Sequence, residues 1–184
     1  MSALSFWFFA LGAPLAAWGL AACVATKGMA AALVAFPRSK ACAYALCAVG
    51  WFWTASACDR LGIEVFDKFL KAFPGELWIL AVVLTVLTCW WMANLLPIRG
   101  ASAILMLFPG EMFPAIRLYD TPWRLALVVV AYVCAVVGMV AMFYPWRVRQ
   151  ALAALAARPP LVRALGAAFL ALGAAFLILG VVYR

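Results

Sequence analysis

The chain contains no histidine among its 184 residues. Histidine is a common haem ligand, a frequent zinc ligand and the side chain that titrates nearest neutral pH. Its absence excludes bis-histidine haem, histidine-ligated chlorophyll, HExxH metalloprotease sites and any histidine proton relay. The chemistry open to this protein is therefore narrow before any motif is considered.

Acidic residues are also scarce, with six aspartates and glutamates in the whole chain. No two of them lie within two facing apolar runs, as an aspartyl membrane protease would require. The serines have no histidine to serve as a base, and no glycine-rich phosphate loop follows a strand. We therefore predict that the protein is not an enzyme and has no catalytic residues, metal site or cofactor.

Charged residues make up 11% of the chain, and hydrophobic residues make up 71%. A soluble domain is usually about 25% charged and 45–50% apolar. Runs of about 20 residues without a charge, enough to cross a bilayer as a helix, occur at 77–97, 125–145 and 164–183. No polar stretch is long enough for a separate domain. The sequence predicts one transmembrane domain over residues 1–184.

Two further spans are predicted near the amino terminus, at about Leu4–Ala25 and Ala41–Ala57. The short apolar piece 28–36 between them either prolongs the first helix or lies at the membrane interface. No basic residue precedes the first apolar run, as a signal peptide would require, so we interpret it as a retained membrane helix. The prokaryotic inner membrane is the expected location.

Paired cysteine motifs are absent, although the chain has six cysteines. The closest pair, Cys42 and Cys47, is five residues apart, which places the two on different faces of a helix. Buried free cysteine behaves as a small hydrophobic residue. We interpret all six in this way, and a quinone-linked disulfide generator is not indicated.

Two segments have the pattern of short amphipathic helices at the membrane interface. Residues 58–75 repeat apolar side chains at four- and five-residue steps, with charged residues between them. Residues 146–158 form a basic, alanine-rich segment that ends before Pro159 and Pro160.

Residues 98–117 are the most ambiguous part of the sequence. The apolar stretch 101–108 is too short to span alone, and Pro109, Gly110 and Pro114 are expected to break a helix there. Irregular backbone at membrane depth must be buried in protein or line a wet cavity. A re-entrant segment is favoured over a distorted full crossing.

The predicted fold class is therefore an all-α polytopic membrane bundle with short interfacial helices. It has five transmembrane helices plus a broken re-entrant segment, or six transmembrane helices. Five spans divide the basic residues equally between the two sides and give no orientation. Six spans place eight on one side and six on the other, which would put both termini outside.

One polar cluster is a candidate site, because ionisable groups near membrane depth are costly and often functional. Its members are Asn94, Arg99, Glu111 and Arg117, which surround the broken segment. Glu111 could pair with Arg99 or Arg117 and hold a hairpin at the interface. Alternatively, the cluster could line a path or bind an ion, a small solute or a lipid head group.

The last span carries glycines at a strict seven-residue step, Gly166, Gly173 and Gly180. Small residues at this spacing form a surface that another helix can approach closely. We call these three residues the glycine stripe. It is predicted to pack within the chain, or otherwise to form a seam with a partner or a second copy.

These features predict a protein that acts by packing, as an accessory or assembly subunit of a membrane protein complex. The expected partners are the lipid bilayer and other membrane subunits or a second copy, and not nucleic acid, since the net charge of +8 lies in short loops. A small channel or transporter that uses residues 98–117 is the alternative, and a lipid-active enzyme is the third possibility.

Overall fold

The computed structural model describes residues 2–61, 76–91 and 95–184. Within these ranges the chain forms eight α-helices and no strand, which confirms the all-α prediction. A single 3₁₀ turn, Phe36–Arg38, precedes the third helix. The helices are α1 (Ala3–Val24), α2 (Thr26–Ala35), α3 (Lys40–Leu61), α4 (Glu76–Trp91), α5 (Leu96–Ile116), α6 (Arg124–Phe143), α7 (Pro145–Ala156) and α8 (Pro159–Val182).

Four helices in the described ranges are long and apolar enough to cross a membrane, as predicted for an integral membrane protein. They are α1, the part of α3 at Lys40–Cys58, α6 and α8. The apolar part of α4, Leu77–Trp91, is shorter. Most of the segment predicted as an amphipathic helix at 58–75 lies outside the described residues.

Helices α1 and α8 pack antiparallel along their whole length. At one end the Ser2 hydroxyl donates to the Tyr183 carbonyl oxygen at 2.7 Å. At the other end the Arg163 Nε donates to the Thr26 hydroxyl at 3.0 Å. These two contacts, at opposite ends of the pair, place the amino and carboxyl termini together.

Helices α3 to α6 form the rest of the bundle. Helix α3 lies between α4 and α5, and α5 also packs on α6. The α3 and α4 axes run antiparallel, because Phe52 stacks on Trp78 while Cys47 contacts Thr88. At the α5–α6 contact the backbones are close, and a Cβ on Gly138 would lie 2.9 Å from the Ser102 carbonyl oxygen.

A buried core joins the two groups of helices at the end of the bundle that holds the termini. Phe8 of α1 is fully buried there against the tilted ring of Phe176 from α8. The cluster also includes Leu4, Met112, Ile116, Leu127 and Ala131. The core therefore connects the first and last helices to the end of α5 and the start of α6.

Helix α5 is continuous from Leu96 to Ile116, with Pro109 and Pro114 inside it. The helix break expected at these prolines is therefore not present. Proline removes one helical hydrogen bond and crowds the preceding turn, but neighbouring helices in a bundle can hold the backbone helical. Pro109, Met112 and Ile116 are buried in such contacts. With about 1.5 Å of rise per residue, α5 is roughly 31 Å long.

The short segments between the spans are helical at one end of the bundle. Helices α1 and α2 separate at Ala25, whose φ of −107° and ψ of 48° are not helical. The piece 28–36 therefore does not prolong α1. The basic segment predicted at 146–158 forms α7, which packs against α2.

Two glycines of α5 are expected to respond oppositely to replacement by alanine. A Cβ on Gly100 would lie 2.9 Å from the Leu46 Cβ and 3.2 Å from the Cys47 nitrogen, so Gly100→Ala should cost about 1–3 kcal/mol. A Cβ on Gly110 would meet nothing within 4 Å. Gly110→Ala should therefore add about 0.5–1 kcal/mol from helix propensity. Unfolding in mixed detergent micelles measures both, and equal effects would contradict the α3–α5 packing.

Candidate functional site

Glu111 forms a bidentate ion pair with Arg60. The Arg60 Nη2 lies 2.6 Å from Glu111 Oε1, and Nη1 lies 2.7 Å from Oε2. The Trp53 indole nitrogen also donates to Oε1 at 3.2 Å. Two parallel charge-assisted bonds fix both the position and the orientation of a carboxylate. The carboxylate thus accepts three hydrogen bonds from α3.

Arg60 is itself positioned by the last turn of α3. Its Nε donates to the Ser56 carbonyl oxygen at 3.1 Å, and its Nη2 donates to the Ser56 hydroxyl at 3.0 Å. The Arg60 side chain is 56% exposed, whereas that of Glu111 is 23% exposed. The ion pair therefore lies at the edge of the bundle, at the same end as the two termini, and not in its middle.

The expectation that Glu111 pairs with Arg99 or Arg117 is wrong in this structure. Arg117 lies six positions later, which is roughly 240° around the same helix, on another face. Arg99 lies twelve positions earlier, about 18 Å along the axis. The antiparallel packing of α3 on α5 instead brings Arg60 to Glu111. The sequence contains no local signal that α3 pairs with α5.

Arg99 and Arg117 are therefore both separated from Glu111. Arg99 lies in the first turn of α5, beside a small cavity of about 170 Å³ that Cys47 and Thr88 also line. Arg117 is exposed at the carboxyl end of α5. Asn94 lies outside the described residues. Glu111 and Arg60, with Trp53, form the compact part of the site.

A second polar group, which sequence reasoning missed, connects α3 to α4. The Cys47 thiol contacts the Thr88 hydroxyl at 2.9 Å, and the Trp51 indole nitrogen donates to that hydroxyl at 3.2 Å. Thr88 also donates back to the Leu84 carbonyl oxygen at 2.7 Å. In the described ranges no group of three or more acidic, cysteine or histidine residues could hold a metal. The two contacts to Thr88 link α3 to α4.

The glycine stripe of α8 lies against α1. A Cβ on Gly173 would be 2.5 Å from the backbone nitrogen of Ala16, and one on Gly166 would be 2.7 Å from the Ala22 Cβ. A Cβ on Gly180 would lie 3.2 Å from the ring of Phe9. The stripe is thus occupied within the chain, which is the first of the two arrangements expected for it.

Two glycines of α1, which sequence reasoning missed, complement the stripe. A Cβ on Gly19 would lie 2.6 Å from the Gly166 carbonyl oxygen, and one on Gly12 would lie 3.0 Å from the Gly173 carbonyl oxygen. These two residues are also seven positions apart. The same spacing on both helices was the signal that could have identified the pair.

The two ends of the bundle differ in charge. The end at which α1, α4 and α6 finish carries eight basic residues and no acid in its connecting segments. We call it the basic end. Its basic residues are Lys27, Arg38, Lys40, Arg99, Arg147, Arg149, Arg158 and Arg163. The opposite end holds both termini and the Arg60–Glu111 pair.

Comparison of the chain with protein-family models, with curated proteins and with solved structures found no match.

Proposed function

We propose that this protein is an accessory or assembly subunit of a membrane protein complex, and that α4 contacts the partner. Helix α4 packs mainly on α3 and lies at the edge of the bundle. Its outward face carries large side chains, with Trp90 84% exposed and Trp91 89% exposed. The 16 described residues of α4 rise about 24 Å, less than the roughly 30 Å of a bilayer core. A neighbouring helix would cover this short edge helix.

The proposed topology has six crossings, by α1, α3, α4, α5, α6 and α8. The continuous α5 is long enough to cross, which supports a full crossing over a re-entrant segment. Helices α2 and α7 would lie at the interface. The positive-inside rule then places the basic end in the cytoplasm and both termini outside, in a prokaryotic inner membrane.

A channel or transporter that uses residues 98–117 receives less support. A transported ion or solute would need a polar path through the bundle, whereas Glu111 is engaged by Arg60 and Trp53 at its edge. That arrangement favours a structural role for Glu111. A lipid-active enzyme would need a reactive group such as an activated nucleophile. The Arg60–Glu111 ion pair does not provide an evident one.

Photo-crosslinking tests the proposal on the native membrane. A benzoylphenylalanine residue at Val86 of α4, 58% exposed, should give one defined protein adduct. The matched control is Val133 on α6, also a valine and 54% exposed, which should give lipid adducts. Mass spectrometry of the Val86 adduct, after purification in mild detergent, should identify one membrane protein present in stoichiometric amount.

Two results would contradict the proposal. Equal crosslinking at Val86 and Val133 would show that α4 has no preferred neighbour. An adduct of twice the 19.9 kDa chain mass would show self-association through α4 in place of a different subunit.

A further inference from the structure

A large apolar cavity lies between the two groups of helices, near the basic end. Its volume is about 780 Å³, and it is bounded by α1, α2, the start of α3, α5, α6 and α7. Its lining includes Trp18, Leu33, Leu105, Val137 and Leu152. Small-molecule sites usually have volumes of about 300–1,000 Å³, so the cavity is large enough for a ligand.

The small polar side chains in this lining are few, namely Ser39, Cys42 and Ser102. The hydroxyl of Ser102 is buried and already donates to the Ile98 carbonyl oxygen at 2.7 Å. The Ser39 hydroxyl accepts from the Cys42 backbone nitrogen at 3.3 Å. A polar solute would lose its hydration here and find few polar groups to replace it. The chemistry of the cavity therefore favours a hydrocarbon chain.

A groove between α2 and α7 adjoins this cavity. Its volume is about 890 Å³, and it shares Ala35 and Ser39 with the cavity. Alanines from both helices line most of it, and Arg38 lies on its border. The two spaces together lead from an apolar interior to an arginine at the basic end.

Arg38 is available for a ligand. Its side chain is exposed, and in the described part of the chain it makes no ion pair or side-chain hydrogen bond. The connecting segments of the basic end contain no acid that could neutralise it. An exposed arginine near a membrane surface attracts anionic head groups, with about 1 kcal/mol for each basic residue.

We propose that this is a binding site for an anionic phospholipid of the surrounding bilayer. One acyl chain occupies the apolar cavity, the second chain follows the alanine-lined groove, and the phosphate contacts Arg38. The complementarity of charge selects an anionic lipid, because the basic end carries eight basic residues. This site does not depend on α4 or on the accessory function.

Native mass spectrometry of the detergent-purified chain tests the site by lipid titration. Phosphatidylglycerol and phosphatidylcholine with identical acyl chains are the probes. We expect one phosphatidylglycerol to bind at least about fivefold more tightly than phosphatidylcholine, since one arginine contributes about 1 kcal/mol. Inorganic phosphate at millimolar concentration should not displace it, because phosphate has no chain to fill the cavity.

Paired variants locate the site. Arg38→Gln should remove most of the preference for phosphatidylglycerol, whereas Arg158→Gln, an exposed arginine at the same end that borders neither space, should retain it. Ala32→Trp should fill the cavity and weaken both lipids about tenfold or more, since a fully buried apolar group contributes about 1.5–3 kcal/mol. Ala154→Trp, on the exposed surface of α7, is its control.

Several outcomes would overturn the proposal. Equal affinity for the two lipids, equal effects of Arg38→Gln and Arg158→Gln, or displacement by inorganic phosphate would each do so. Unchanged lipid binding in Ala32→Trp, with a wild-type circular dichroism spectrum, would place the lipid elsewhere. A dimer that forms when lipid is removed, and that Ala32→Trp abolishes, would identify a second copy as the occupant.

Discussion

Gly173→Leu is expected to lower the free energy of unfolding by roughly 3 kcal/mol, at the upper end of the range for overpacking a helix contact. Even the Cβ would lie 2.5 Å from the Ala16 nitrogen and 2.9 Å from its Cα. These are backbone atoms, so the clash cannot be relieved by a side-chain rotation. Relief requires that α1 and α8 separate, and van der Waals contact between close backbones holds membrane helices together.

The neighbouring Ala174 provides a matched control, because it is exposed and lies about 100° further around α8. Ala174→Leu should change stability little, and a bulky replacement of the exposed Leu172 should be similarly mild. Gly173→Ala should fall between the control and Gly173→Leu. Tryptophan fluorescence during unfolding in mixed micelles measures all four variants. Equal stability of Gly173→Leu and Ala174→Leu would show that the stripe is not a packing surface.

Structural features that depend on the pattern of one segment could be predicted from the sequence. Apolar runs of about 20 residues identify helices, because backbone hydrogen bonds must be satisfied without water. The seven-residue step of the glycine stripe likewise identifies a face that a helix can approach. These inferences need only the local period. They predicted the helical class, and they predicted which face of α8 lies in a contact.

The pairs of helices that pack on each other could not be predicted in the same way. Glu111 and Arg60 are 51 positions apart, and their pairing depends on the antiparallel packing of α3 on α5. The basic residues nearer in sequence lie on other faces or turns of α5. The partner of the glycine stripe could have been inferred from Gly12 and Gly19, which repeat its spacing on α1.

The prediction of a break in α5 was wrong for a different reason. Proline lowers helix stability by its local effect on the backbone, and that effect is visible in sequence. Its outcome depends on whether neighbouring helices hold the chain in place, which is a tertiary property. Pro109, Met112 and Ile116 are buried, so packing offsets the lost hydrogen bonds. Local helix propensity therefore predicted a break where the helix is continuous.

Removal of Arg60 is expected to destabilise the bundle more than neutralisation of Glu111. In Arg60→Ala the carboxylate, 23% exposed, keeps the Trp53 N–H as its donor on α3 and loses both charged bonds. Leaving such a group underpaired costs about 1–3 kcal/mol. In Glu111→Gln the amide oxygen can still accept from Trp53, and the exposed Arg60 can be hydrated. The expected loss is therefore under about 1 kcal/mol, as for exposed ion pairs.

The double variant separates the ion pair from other effects. Arg60→Ala combined with Glu111→Gln should be about as stable as Glu111→Gln alone, because no carboxylate is then left without its partner. Unfolding in mixed micelles measures this coupling, which should weaken as salt is raised. Flux of ions and small solutes in liposomes should be the same for all variants and for empty vesicles. If Glu111→Gln changes flux while stability is unchanged, Glu111 lines a path, and the structural role assigned to it is wrong.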